Sequence, residues 1–323
     1  MPNLLDRIRA LIPGGNQRPE PISQDRLRLS AGVRAPKTIE AYAYDWKDYT
    51  GWCVKQGCKP LPSTAGQVAD YITDCLNRQL KVTTVTRRLT AILYYHRTAR
   101  VSPPAIDEAQ TLIRGAKRIR KEQPAQREPL TIEHLRRLAS LRAPGAIGAR
   151  DWALLLVGFF SALRRSNLAA LDMADVTISG KGIAIHVRSE KTDQEGVGRV
   201  LGIPPGKRAE TCPVQALREW LIVRGNQPGP LFQRIANGRP NGKRLNPNRV
   251  SLVLKGQIAK LGLNPASFGA HSMRSGFVTE ALEAGADPLL VARQTGHRSL
   301  ATLKIYYRSR NPFAGNACAR LDL

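Results

Sequence analysis

Four short segments in the C-terminal half of the chain carry side chains suited to phosphate chemistry. The first is Ala162-Leu163-Arg164-Arg165-Ser166-Asn167-Leu168, directly after the apolar stretch Trp152 to Phe160. An arginine there is costly to bury without an anion or a carboxylate beside it. Arg164 is read either as a cap on the preceding helix or as a guanidinium on a cleft floor, binding a phosphate by two parallel hydrogen bonds. The second is His271-Ser272-Met273-Arg274. Residues three apart share a helix face, so an imidazole and a guanidinium can converge on one ligand. In the third, Thr295-Gly296-His297-Arg298-Ser299-Leu300 is followed by Tyr306-Tyr307-Arg308. Gly296 and Ser299 suggest a turn and an N-cap opening a short helix. Leu300, Leu303 and Tyr307 follow i, i+3, i+7 spacing, which makes Tyr307 a core residue and turns Tyr306 elsewhere. The fourth holds Lys191, at the tip of an expected β-hairpin, where an ordinary exposed turn lysine is the alternative.

These residues need elements to hold them. Helical periodicity begins at Lys37 and runs through Trp46, Tyr49 and Trp52 to a stop at Gly57. A second helix is expected from Thr64 to Gln79, with Val68, Tyr71, Ile72 and Cys75 as its apolar stripe. A third spans about Thr83–Ala99, and a fourth ends near Lys121. Arg114, Lys117, Arg118 and Lys121 would share one face of that fourth helix and lie along a phosphate backbone. The polar stretch Glu122–Pro129 reads as an interdomain linker. Beyond it come a helix start at Thr131, a buried apolar helix over Arg150–Leu163, and β-branched segments between Asp175 and Pro205 that suggest a small antiparallel sheet. Helices resume at Pro213–Gly225, Asn248–Leu261 and from His271. The expected fold is mainly α with a small antiparallel β-sheet. Residues 1–35 form a basic arm, 36–121 a helical domain, 130–308 a catalytic domain, and 309–323 a tail.

Composition narrows the function. The 323 residues include 50 Lys and Arg against 25 Asp and Glu, a formal charge of +25. Cut at Pro129, both halves are basic, so a polyanionic partner is expected, nucleic acid before an acidic membrane surface. No apolar run approaches the ~18 residues of a membrane helix. The N-terminal residues lack a signal-peptide core. Five scattered cysteines suit a reducing, cytoplasmic compartment, and none has zinc-finger spacing with a nearby histidine. The segment Gly238–Lys243 has the wrong spacing for a nucleotide loop, with Arg244 where Ser or Thr belongs. Asn237–Arg244 is read instead as a basic DNA-contacting loop, with Lys243 and Arg244 on the phosphates.

Leu163-Arg164-x-Ser166-x-Leu168, His271-Ser272-x-Arg274-x-Gly276, and Gly296-His297 with Tyr306 nine residues after the histidine occur here in one order. That order resembles the tyrosine recombinase (phage integrase) family, in particular its Cre-like members. The resemblance implies a catalytic set of Arg164, Lys191, His271, Arg274, His297 and the nucleophile Tyr306. It implies a site-specific recombinase that cuts and rejoins double-stranded DNA through a 3′-phosphotyrosine, with no cofactor, metal or ATP. Bacterial, phage or plasmid origin and action at the nucleoid go with it. Arg87 and Arg88 join the Arg114–Lys121 face as expected DNA contacts of the helical domain, the two basic domains clamping the duplex. Family members act as tetramers on paired sites, and the tail would dock on a neighbouring protomer or stay flexible. One position departs from the family pattern: Asn167 stands three residues after Arg164, where Glu or Asp is usual. A type IB topoisomerase and a catalytically idle DNA-binding protein are the rival readings.

Overall fold

The computed structural model describes residues 36–121, 127–188, 198–297 and 299–305. Lys191, Tyr306 and Tyr307, the arm 1–35 and the tail lie outside the described residues. The chain divides between Pro124 and Ala125 into two compact units. Among the described residues, no helix is long and apolar enough to cross a membrane.

The first unit is four helices: α1 (Pro36–Lys55), α2 (Ala65–Asn77), α3 (Val82–Ala99) and α4 (Asp107–Arg120). Thr64 caps α2 by accepting the Gln67 backbone N–H at 3.2 Å. The expected stripe of Val68, Tyr71, Ile72 and Cys75 is completely buried. It packs beneath Tyr42, Trp46, Tyr49 and Cys53 of α1, where Trp46 stacks on Tyr95 with ring centroids 4.4 Å apart. α4 carries Asp107 and Glu108 in its first turn and Lys117, Arg118 and Arg120 in its last, in the sense that complements the helix dipole.

Of the expected DNA contacts in this unit, one is buried and a second is ion-paired at the surface. Arg88 is 4% exposed, and its Nη1 and Nη2 meet the Asp48 carboxylate at 2.5 and 3.1 Å. It stands three residues after Val85 and four before Ile92, on the apolar stripe of α3, so its charge needs a buried partner. Arg88 is therefore a core residue and not a DNA contact. Its neighbour Arg87 is half exposed but forked onto Asp45, Nε to Oδ2 at 2.8 Å and Nη2 to Oδ1 at 3.0 Å. Arg114, Lys117 and Arg118 are exposed on α4, whereas Lys121 follows the helix in a left-handed conformation and leaves its face.

The second unit is built around α6 (Gly145–Ser161), buried from Trp152 to Phe159 because it is apolar on every side. α5 (Ile132–Ala139) precedes it, with Thr131 and His134 each bonding the other's backbone N–H. After α6 come α7 (Arg165–Ala170) and a three-stranded antiparallel sheet, β1 (Val176–Ser179), β2 (Gly182–Val187) and β3 (Arg199–Ile203). Register pairs Ile183 with Ile203 and Ile185 with Leu201, which puts all four in the core. α8 (Pro213–Arg224) packs on α6. A second hairpin, β4 (Gln233–Ala236) and β5 (Arg239–Arg244), turns at Asn237-Gly238, both with positive φ. This corrects the reading of Asn237–Arg244 as a loop. Arg244 donates to the carbonyls of Ala169, Ala170 and Leu171 and pairs with Asp172, so it caps the end of α7 while its side chain stays 40% exposed. Lys243 remains exposed.

The chain closes with α9 (Pro247–Lys260), α10 (His271–Glu283), α11 (Pro288–Thr295) and a 3₁₀ turn over Leu300–Ile305. Leu303 is buried, but Leu300 is 45% exposed, so the stripe expected through Leu300, Leu303 and Tyr307 loses its first member. Tyr306 then rests on its nine-residue distance from His297.

α10 approaches the chain at Leu130 so closely that a Cβ on Gly276 would lie 1.8 Å from the Leu130 carbonyl oxygen. Alanine favours a helix interior over glycine by about 1 kcal/mol. Here the backbone clash outweighs that gain, and Gly276→Ala is expected to lower unfolding free energy by at least about 1–3 kcal/mol. A urea midpoint at or above the wild-type value would show that the two segments part easily.

Candidate active site

A cleft of about 460 Å³ opens in the second unit where the end of α6, α9 and the start of α10 converge. Among the described residues its lining includes Arg127, Arg164, Arg165, Lys255 and Arg274, with His271 among them, and no Asp or Glu. Five Arg and Lys side chains around one concavity make a receptor for a polyanion.

Local geometry explains each placement. α6 ends at Ala162 in a left-handed conformation, φ 51°, and Arg164 follows in extended conformation as the residue that opens α7. That turn swings Arg164 off the helix and onto the cleft wall. His271 and Arg274 stand in the first turn of α10, on one face as their spacing requires.

Arg274 is 2% exposed and holds the site together. Its Nη1 donates to the carbonyls of Ala162 at 2.9 Å and Thr295 at 2.6 Å, tying the end of α6 to the end of α11. Its Nη2 lies 3.0 Å from Nε2 of His297. The His297 ring reaches back because Gly296 takes φ 69° immediately after α11, and its Nδ1 lies 2.6 Å from Thr295 Oγ1. Arg164, His271, Arg274 and His297 thus gather at one place.

The electrostatics follow from this crowding. Burial, then the charges of Arg274 and Arg164, hold the His271 pKa below the usual histidine value. Burial together with Arg274 and Arg164 brings His297 down to about 4. Both rings are neutral at pH 7. In the first unit His96, completely buried, is lowered as well by burial; its Nε2 accepts the Ser63 N–H at 3.0 Å. A histidine with a depressed folded pKa stabilises the fold fully above its unfolded value, near 6.5, and loses that contribution as pH falls. Unfolding free energy is therefore expected to decline between pH 6.5 and 5, read as falling urea midpoints. Constant midpoints across that window would contradict the neutral assignments.

Asn167 lies on α7 and accepts the Ser166 hydroxyl at 3.2 Å. The end of the β2–β3 pair is fixed by Arg188, whose Nε and Nη2 grip Asp175 at 2.6 and 2.8 Å while Nη2 also reaches Asp172. Asp172 in turn pairs with Arg244, so one charge network joins the end of β2 to the end of the helix that Arg164 opens. Sequence reasoning missed Arg127, Arg165 and Lys255 as cleft residues and Thr295 as the partner of His297. Lys255 sits off the Val250–Leu254–Ile258 stripe of α9, the single hint that it faces outward from the core.

Residues 128–312 match the family model of the phage integrase family. The xerD homolog integrase/recombinase of Selenomonas ruminantium is 34% identical over 310 residues, covering 93% of this chain and 91% of that relative. Tyrosine recombinase XerD of Caulobacter vibrioides is 27% identical, over 84% of this chain and 86% of its own. Among solved structures, the Tn1549 transposon integrase in complex with transposon right end DNA aligns with a TM-score of 0.64 at 14% identity, over 92% of this chain and 96% of that one. A lambda integrase dimer bound to a core site aligns at 0.61 and 16% identity, over 89% and 95%. These two likenesses carry the fold.

Proposed function

The chain belongs to the phage integrase family of tyrosine recombinases, and we propose that this site-specific recombinase exchanges DNA strands through a covalent 3′-phosphotyrosine formed on Tyr306. The observation that carries the proposal is the cationic cleft in which Arg164, His271 and Arg274 converge.

The phenolic oxygen of Tyr306 attacks the scissile phosphorus. The bond between phosphorus and the 5′ oxygen of deoxyribose breaks, and a bond between phosphorus and the tyrosine oxygen forms. A phenol is a weak nucleophile at pH 7, since its pKa is near 10. His271, kept neutral by its surroundings, is able to take the phenolic proton. Lys191 gives a proton to the departing 5′ oxygen. Arg164 and Arg274 face the charge that grows on the non-bridging oxygens, from positions fixed before the reaction. Return of a 5′-hydroxyl from another strand reverses each step. One phosphoester replaces another, so the bond energy is conserved without ATP. Fixed guanidinium groups supply the charge neutralisation that a metal ion would otherwise provide.

Arg114, Lys117, Arg118, Lys121 and Lys243 extend the grip along the duplex, with Arg127, Arg165 and Lys255 nearest the scissile phosphate. Tetrameric synapsis on paired sites, and action in the cytoplasm, complete the reading. Selection from a random duplex library, keeping molecules that are both bound and covalently captured, tests it. A recurring inverted motif with free 5′-hydroxyl ends is expected. Relaxation of plasmids by monomers without strand exchange would favour a topoisomerase, and binding without capture an idle DNA-binding protein.

A further inference from the structure

We propose that Thr295 is a positioning residue that dictates which ring nitrogen of His297 carries the proton, and through that ring aims Arg274. The inference deepens the recombinase reading and rests on it for its catalytic meaning, but not for its geometry.

The proton positions follow from the donors available. A guanidinium only donates, so at 3.0 Å from Arg274 Nη2 the Nε2 of His297 must present its lone pair. A neutral ring then carries its proton on Nδ1, 2.6 Å from Thr295 Oγ1, and donates it there. The threonine hydroxyl is free to accept because its own proton goes to the Val291 carbonyl at 2.7 Å. Thr295 is completely buried and also offers its backbone carbonyl to Arg274 Nη1 at 2.6 Å. One residue thus contacts both partners, its carbonyl steering the arginine and its hydroxyl steering the imidazole that meets the same arginine.

The arrangement has two consequences. The resting ring is an acceptor that holds Nη2 in place until a phosphate oxygen competes for it. The Nδ1–H bond to Thr295 is also common to the neutral ring and the imidazolium, so the ring keeps its orientation in either state. A valine of the same shape would leave the Nδ1–H buried with no acceptor, and the alternative tautomer would set an N–H against an N–H of Arg274.

Long-range proton–nitrogen correlation spectra of the full-length, histidine-labelled protein read the tautomer directly, with the His297 signals assigned by their loss in His297→Gln. The wild type and Thr295→Ser are expected to show a protonated Nδ1 and a bare Nε2, and Thr295→Val to lose that pattern. On duplexes recovered from the library, Thr295→Val is expected to slow covalent capture about ten- to a hundredfold, the scale seen when an orienting partner is removed. Its duplex affinity should stay within about twofold, and Thr295→Ser should recover most of the rate. A wild-type ring protonated on Nε2 would overturn the proposal, whether or not the valine variant folds. So would a Thr295→Val protein that captures DNA at the wild-type rate. The spectra need no DNA, so a failure of strand transfer is separable from a failure of this inference.

Discussion

Tyr306→Phe is expected to abolish covalent capture of a nicked duplex, with a rate loss on the order of 10⁶-fold, the scale reached when a hydrolase loses its nucleophile. The substitution removes one oxygen and keeps the ring, so duplex affinity should stay within about twofold. A nick placed just 3′ of the scissile phosphate lets the short 5′-hydroxyl fragment diffuse away, so even slow attack accumulates as adduct. Denaturing gels then show a slower band for the wild type and none for the variant. The neighbouring Tyr307→Phe protein should retain the band. If the outcomes are exchanged, the nine-residue step from His297 selects the wrong tyrosine.

The second large effect falls on Arg274. Its guanidinium serves two masters: the developing phosphate charge, and the carbonyls of Ala162 and Thr295 that it bridges. Arg274→Lys keeps the charge but loses the planar fork, and a single ammonium cannot satisfy two helix ends and face the phosphate at once. Loss of one fixed transition-state donor costs about 3–4 kcal/mol, or roughly 10²–10³ in rate. Leaving buried carbonyls without a donor adds a stability loss of about 1–3 kcal/mol. Single-turnover capture and a urea transition on the same sample report both. A variant that slows capture but unfolds at the wild-type midpoint would mean that the carbonyl bridge contributes nothing to the fold. One that loses stability yet captures DNA normally would remove Arg274 from the chemistry.

Much of this architecture is legible in the residues themselves. The stripe Val68, Tyr71, Ile72 and Cys75 names the buried face of α2, and the unbroken apolar run after Asp151 marks α6 as central. Thr131 announces α5, and β-branched alternation gives the three-stranded sheet. At the site, the i, i+3 spacing of His271 and Arg274 places both in the first turn of one helix. Sequence is least informative about arginine, because a guanidinium suits a phosphate, a buried carboxylate or a helix end equally well. Arg88 goes to Asp48, Arg244 to the end of α7, and Arg274 to two carbonyls and an imidazole. Only the partner's position in space tells these apart. The β4–β5 hairpin escaped for another reason. Its second strand is polar throughout, so no alternation betrays it, and the Asn237-Gly238 turn is its one local signature. Thr295 is silent in the sequence because its role depends on Gly296 reversing the chain to bring His297 back over it.

Mass spectrometry of the peptide left on DNA after capture on a nicked duplex and exhaustive proteolysis addresses the mechanism without intermediaries. The adduct is expected on the peptide containing Tyr306, with the phosphate esterified to that side chain on one side and to a 3′ oxygen on the other. A phosphate carried by any other residue, or linked to a 5′ oxygen, would contradict the strand-transfer chemistry assigned to this cleft.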